Sequence, residues 1–201
     1  MSGTITVTGI GTSSARPDVV RVSGVFRGRC GSYAEATAES FGSVSDIRSR
    51  MRDAGLDEAL LRTASVSVDP VFQEDGRCVG YEYRHVAVCD LPVDGDLFGR
   101  FMGAMDPSGT PMTRIEYVVS DPAPHLDDAR RAAVRDAFHK AEVLVSESGC
   151  ILGDVSSIEY GQIHRGIMMT RASIDAEPMD AEFEESVVIT WTIVPSNQSG
   201  L

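Results

Sequence analysis

The residue types that most often carry chemistry are spread along this chain without a catalytic spacing. The four histidines are His85, His125, His139 and His164. His125 and His139 fall near one face of a predicted long helix, but at 1.5 Å per residue they stand ~21 Å apart and cannot share a metal ion. His85 shares strand parity with Tyr81 and Tyr83, which predicts a satisfied, half-buried histidine. Neither a Gly-x-Ser-x-Gly elbow nor a His-Glu-x-x-His pattern occurs, so no catalytic residue is predicted.

A glycine pair after the first predicted strand, Gly9-Ile10-Gly11, is the nearest approach to a nucleotide-binding loop. A dinucleotide fingerprint continues with a third glycine or alanine and then opens a helix. Here Ser14 takes the third position, and Pro17 leads into another strand. The pair therefore predicts a glycine-rich bulge or turn, and no cofactor is expected.

The cysteines also lack the spacing of a metal or redox site. They are Cys30, Cys78, Cys89 and Cys150, and none belongs to a C-x-x-C pair. Cys78 and Cys89 flank one predicted strand and lie about 36 Å apart at ~3.3 Å per residue. A disulfide needs Cα atoms within roughly 7 Å, so this pair cannot bridge. Small buried thiols are the predicted role.

The best candidate for a binding site is an acidic loop over residues 161–186, which shows no hydrophobic periodicity. Carboxylates there could hold a hard cation and thioethers a soft one, but the spacing fits neither an EF-hand nor a copper motif. Methionines adapt to partner surfaces, and carboxylates select basic partners. A solvated loop is the competing interpretation. The predicted interaction residues are Met168, Met169, Asp175, Glu177, Met179, Asp180 and Glu182.

Composition excludes several classes of partner. The net charge of −12 argues against nucleic acid and anionic membranes, because both attract clustered Lys and Arg. No apolar run approaches the ~20 residues of a membrane span. Residues 1–11 alternate Thr and Gly with Ile and Val, unlike a signal peptide. The chain is expected to be cytoplasmic if it is complete, or periplasmic or extracytoplasmic if a signal peptide was removed.

Hydrophobic periodicity predicts strands alternating with two main helices. Ser32 and Glu35 form a capping box before a helix that Gly55 ends, and Asp75-Gly76 predicts the tip of a long hairpin. A second long helix carries a stripe of alanines that allows close packing on a sheet. The strands are predicted at 4–8, 19–27, 61–68, 79–91, 114–119, 154–160 and 187–194, and the helices at 33–54, 97–105 and 124–148. The predicted core is Val20, Val22, Phe41, Ile47, Val66, Val68, Val134, Phe138, Ile189 and Trp191.

These motifs, in their order, resemble the SIMPL domain family from Ile5 to Val194. The likeness rests on Val7-x-Gly9-x-Gly11, Pro17-Asp18, Gly55 with Thr63, Gly80-Tyr81, Ser120-Asp121-Pro122, the helix Ala129, Ala133, Ala137, Lys140-Ala141 with Gly149, and Val187-x-Ile189-x-Trp191. The chain departs from the family in its four cysteines, in lacking an export signal, and in Pro178-Met179 where Pro-Gly is usual.

The resemblance implies one α+β domain over residues 3–195, with two helices packed on antiparallel sheets. The order of the predicted elements divides this domain into two similar strand-helix-strand halves. It implies no established enzymatic activity. Members include exported envelope proteins that are linked to stress tolerance and tend to oligomerise, and an animal relative that binds a signalling kinase. We therefore expect a non-enzymatic homo-oligomer or protein-binding protein with its specificity in loop 161–186. The alternative is a small-ligand or cation binder, or an enzyme, with a cleft near that loop.

Overall fold

The computed structural model describes residues 3–105, 112–161 and 178–196. These residues form three α-helices and two antiparallel sheets, divided between two compact units. Unit 1 contains the described residues of 3–16, 119–161 and 179–196, and unit 2 those of 17–118 and 178. The elements are β1 (Gly3–Ala15), β2 (Val19–Cys30), α1 (Tyr33–Asp53), a short 3-10 helix (Glu58–Leu60), β3 (Leu61–Phe72), β4 (Cys78–Pro92), α2 (Gly95–Met105), β5 (Met112–Val118), α3 (Ala123–Glu147), β6 (Cys150–Glu159) and β7 (Ala181–Pro195).

The two units share one strand-helix-strand-strand topology. Unit 1 uses β1, α3, β6 and β7 with the strand order β1-β7-β6, and unit 2 uses β2, α1, β3 and β4 in the equivalent order, with β5 added beside β2. In each unit the last strand of the set is therefore central. The predicted α+β fold with antiparallel sheets is confirmed. The structure adds that, in the order of the chain, unit 2 is inserted between the first strand and the helix of unit 1.

The core of unit 2 lies between α1 and the sheet. Ser32 accepts a hydrogen bond from the Glu35 amide and Glu35 bonds the Ser32 amide, which confirms the capping box. Gly55, at φ 71°, follows the helix as predicted. Val20, Val22 and Ile47 are buried as predicted, and Val68 is partly buried.

Two predicted core residues of unit 2 are exposed. Phe41 is 54% exposed because Ser40, one step around α1, takes the sheet-facing position. Val66 is exposed because it lies on β3, an edge strand that is open along most of its length. The prediction for both residues was wrong. For Phe41 the reason is that a helix phase set by apolar residues alone misplaces a buried serine.

The core of unit 1 depends on close contact between α3 and β1. The buried face of α3 is the alanine stripe Ala129, Ala133, Ala137 and Ala141. A Cβ at Gly9 would overlap the Ala133 carbonyl oxygen, and a Cβ at Gly11 the Ala129 carbonyl oxygen. The predicted close packing is confirmed, but the predicted glycine bulge or turn is wrong. β1 runs unbroken through both glycines, which admit the helix backbone.

Of the four predicted core residues in unit 1, two are buried and two are exposed. Ile189 and Trp191 are buried as predicted. Val134 and Phe138 were predicted to be buried but are 38% and 39% exposed, because the alanines one position earlier occupy the seam with the sheet. Phe138 packs edge-on against Trp191, with ring centroids 5.1 Å apart.

The C-terminal boundary of the predicted acidic loop is also corrected. β7 begins at Ala181, so residues 181–186 belong to a strand paired with β1. Ala181, Phe183 and Glu185 are buried, while Glu182 and Glu184 alternate with them on the exposed face. The alternation was missed in the sequence because Glu185, a charged residue, takes one of the buried positions.

Candidate functional site: an apolar cleft in unit 1

A cleft of about 240 Å³ opens in unit 1 between α3 and the last residues of β6. Its walls are almost entirely apolar. They come from Ala133 and Val134 on the helix, Ile158 on the strand, and Val187 beneath. Ile158 is 61% exposed and Tyr160 and Val134 are also exposed, so the cleft is a concave apolar surface open to solvent. Such surfaces mark binding sites more often than isolated exposed side chains do.

Three polar side chains close one end of the cleft. Glu185, only 4% exposed, receives a 2.8 Å hydrogen bond from the Tyr160 hydroxyl and lies 3.3 Å from the Arg130 guanidinium. Arg130 Nε donates to the Tyr160 oxygen at 2.8 Å, and a second guanidinium nitrogen lies 2.7 Å from Asp127. A buried carboxylate is stable only when paired and hydrogen-bonded in this way. The cluster thus fixes Tyr160 and Arg130 at the cleft.

The two edges of the unit 1 sheet differ in how their backbone groups are used. On the β1 edge, Asp136 of α3 accepts a 2.8 Å hydrogen bond from the Ile10 amide, and Lys140 Nζ lies 3.3 Å from the Thr8 carbonyl oxygen. Lys140 also pairs with Asp136 at 2.6 Å. These bonds occupy edge groups that would otherwise template another strand.

The opposite edge, β6, is left open among the residues that the structure describes. β6 pairs there with β7 alone, and register shifts interrupt it before Ser157. From Ser157 to Glu159 the pairing is regular, and this stretch borders the cleft. An open, regular edge therefore lies beside an apolar depression.

The predicted interaction residues do not gather at this cleft. Met168, Met169, Asp175 and Glu177 lie outside the described residues, as does His164. Met179 and Asp180 are exposed just before β7, and Glu182 lies on the face of β7 that points away from α3. The cleft residues were missed because Arg130, Tyr160 and Glu185 come from three separate segments. The one available signal was the alternation of Ala181, Phe183, Glu185 and Val187.

Unit 2 contains a second buried polar cluster, centred on His85. The ring is fully buried, more than the predicted half. Its Nδ1 lies 3.1 Å from both the hydroxyl and the carbonyl oxygen of Ser40, and its Nε2 lies 2.9 Å from Thr63 Oγ1. Burial lowers the pKa of His85. With both nitrogens satisfied and no exposed atom, this histidine fills the predicted structural role.

The cysteines and acidic residues show no assembled metal site within the described residues. All four cysteines are free. Cys89 is buried, which raises its pKa to about 12, and a hydrogen bond to Glu39 raises that of Cys30 to about 11. Cys78 is exposed, so the prediction of a buried thiol was wrong there, since it lies where β4 begins beside the hairpin turn.

The family follows from the whole sequence. A family model described as SIMPL, protein of unknown function (DUF541), matches residues 5–193. The chain belongs to the SIMPL family. The match extends through both units, and the description assigns the family no activity. A comparison with curated proteins finds no match. No described helix of this SIMPL protein is long and apolar enough to cross a membrane.

Proposed function

We propose that this SIMPL protein is a non-enzymatic binding protein that holds an extended segment of a partner protein along β6. The observation that carries the proposal is the open cleft bordered by Ile158 and Tyr160 beside the regular end of that strand. An added strand takes its affinity from main-chain hydrogen bonds and its specificity from pockets for alternate side chains.

The size of the cleft favours a side chain over a free small molecule. Sites for drug-sized ligands usually measure about 300–1,000 Å³, and this cleft of about 240 Å³ lies below that range. Its apolar walls suit one aliphatic or aromatic side chain. The small-ligand alternative therefore has less support than the partner-binding proposal.

Charge gives the expected partner segment a basic character. The described residues of unit 1 hold twelve Asp and Glu against five Lys and Arg. Glu159 ends β6, and at the polar end Arg130 is already matched by Asp127 and Glu185. An apolar side chain flanked by Lys or Arg would thus match both the walls and the rim.

The test selects short random peptides on the parent protein alone and then measures the binding of the selected peptides to the parent and to Ile158→Glu. Ile151→Glu is the matched control, because Ile151 lies on the same strand, is 54% exposed and faces away from α3. We expect selected peptides to bind Ile158→Glu at least about tenfold more weakly than the parent, a difference of about 1.4 kcal/mol. Binding to Ile151→Glu should be unchanged. Equal binding to both variants would show that the cleft at Ile158 does not hold the peptide.

Homo-oligomerisation is the special case in which the partner is a second copy. Light scattering on the parent and on Ile158→Glu separates this case from capture of another protein. A parent assembly that Ile158→Glu breaks and Ile151→Glu preserves would identify the second copy as the occupant of the cleft.

A further inference from the structure

The face of the unit 2 sheet opposite α1 carries an unusual number of arginines for so acidic a chain. Strand alternation places six of them there, while Val20, Val22 and Phe26 of β2 face the core. These arginines are Arg21, Arg27, Arg29, Arg62, Arg84 and Arg114. The same face also carries Asp69, Glu82, Asp90 and Glu116, so its formal charge is +2 (six minus four) in a chain of net charge −12.

Three of the arginines have carboxylate partners on the same face. Arg21 forms two hydrogen bonds with Asp90, at 2.7 and 2.9 Å, and Arg62 reaches the same carboxylate at 2.6 Å. Arg114 lies 3.5 Å from Glu116. The three arginines at this end of the face therefore all have a carboxylate partner. Arg29, at the other end, is directly opposite Glu82, which faces Asp69 of β3 on its other side, so this row contains one arginine and two carboxylates.

Within the described strands, Arg27 and Arg84 form the one pair of arginines on this face that lie directly opposite each other. They face each other across β2 and β4, and neither side chain forms an ion pair or hydrogen bond with any residue that the structure describes. Like charges at directly opposite positions destabilise a sheet. Ser67 of β3 pairs with Arg84 on its other side, so one row presents two guanidinium groups and a hydroxyl.

The neighbouring row supplies an apolar floor. Val25 and Val86, also paired across β2 and β4, are half-buried beside the arginines. Charge-assisted hydrogen bonds gain strength beside such surfaces because water is partly excluded there. Guanidinium forks match the geometry of phosphate oxygens and are the preferred protein donors to them.

We propose that Arg27, Arg84 and Ser67 form a binding site for a phosphoryl group. The bound oxyanion would neutralise the repulsion between the two arginines. The organic part of a phosphomonoester would rest on Val25 and Val86. The site lies wholly in unit 2 and is independent of the cleft in unit 1.

The test compares thermal unfolding and calorimetric titration in sodium phosphate and in sodium chloride at matched ionic strength. Phosphate also stabilises proteins generally because it is excluded from their surfaces, so a variant with the same charge change is needed. Arg77→Gln supplies it, since Arg77 is exposed in the β3–β4 turn. The test variant is Arg84→Gln.

At phosphate about tenfold above its Kd, the parent and Arg77→Gln should gain roughly 3–6 °C in denaturation midpoint beyond the general effect seen in Arg84→Gln. Arg84→Gln should also be the more stable of the two variants in chloride, because its substitution relieves the repulsion. Phenyl phosphate binding more tightly than inorganic phosphate identifies a phosphomonoester as the ligand, and equal binding identifies free phosphate. An identical phosphate response in Arg84→Gln and Arg77→Gln, or no heat of binding in the parent, would overturn the proposal.

Discussion

The hydrogen bond from the Tyr160 hydroxyl to the buried Glu185 carboxylate has a counterpart in the other unit, between Thr63 and His85. In each unit the central strand supplies a buried polar residue that joins the helix to the edge strand or its end. The two clusters differ in access. Glu185 borders an open cleft, whereas His85 is fully buried. One topology thus carries an accessible cluster in unit 1 and a closed one in unit 2.

Removing the Tyr160 hydroxyl should destabilise the protein because the buried Glu185 carboxylate would lose one of the two side-chain hydrogen-bond or ion-pair partners that it has among the described residues. We expect Tyr160→Phe to lower the free energy of unfolding by about 1–3 kcal/mol. In a double-mutant cycle with Glu185→Gln, the effects should miss additivity by at least about 0.5 kcal/mol. Tyr33→Phe is the control, since Tyr33 is exposed, and its effect should stay within about 0.5 kcal/mol. Urea denaturation measures all five proteins. Additive effects of Tyr160→Phe and Glu185→Gln would show that the two side chains do not stabilise each other.

Stability should fall as the solution becomes acidic, because burial lowers the pKa of His85, helped by the charge of Arg48 and opposed by the Ser40 carbonyl. The unfolded chain takes up a proton near pH 6.5, which the folded chain resists. Below about pH 6.5 the free energy of unfolding should therefore drop by up to ~1.4 kcal/mol per pH unit. His85→Gln should flatten this slope, and the exposed His139→Gln should retain it. A parent profile that is level between pH 6.5 and 5 would contradict the assignment.

A methyl group at Gly9 should be poorly tolerated, because it would overlap the backbone of α3 at Ala133. We expect Gly9→Ala to lower the free energy of unfolding by about 1–3 kcal/mol, the usual range for overpacking. Gly42→Ala is the matched control. Gly42 lies within α1 with nothing within 4 Å of the added carbon, so this change should stabilise the protein by about 0.5–1 kcal/mol. Similar effects of the two changes on the denaturation midpoint would disprove the close contact.

The edge of β1 should depend on Asp136. Hydrogen bonds from Lys140 and from the Ile10 amide lower the pKa of Asp136, so its stabilisation is present above about pH 3.8 and is lost as the pH falls through the lowered value. Asp136→Ala should cost about 1–2 kcal/mol at pH 7 and expose the Ile10 amide. The control Asp128→Ala removes an exposed pair with Arg131 and should cost less than about 0.5 kcal/mol. Equal costs would show that the edge bonds contribute nothing.

Sequence patterns predicted most of the helices and strands, but not every face. The capping box at Ser32 and the alanine stripe of α3 were read correctly because each depends on local spacing. Phe41 and Phe138 were misplaced because small residues, Ser40 and Ala137, hold the seam with the sheet. The cleft could not be predicted, because it brings Arg130, Tyr160 and Glu185 together through pairing between distant strands.

The insertion of unit 2 also dictates an order of folding during synthesis. Gly3 of β1 pairs with Ile193 of β7, so the first strand emerges long before its only partner among the described strands. Unit 2 is closed much earlier, where the Asp18 amide bonds the Val118 carbonyl oxygen at 3.2 Å and Val19 pairs with Val118. Pairing over such a sequence distance is slow. On the ribosome, the helices and strands of unit 2 can therefore form while β1 waits, and the chain beyond Val118 then supplies the helix and strands that complete unit 1.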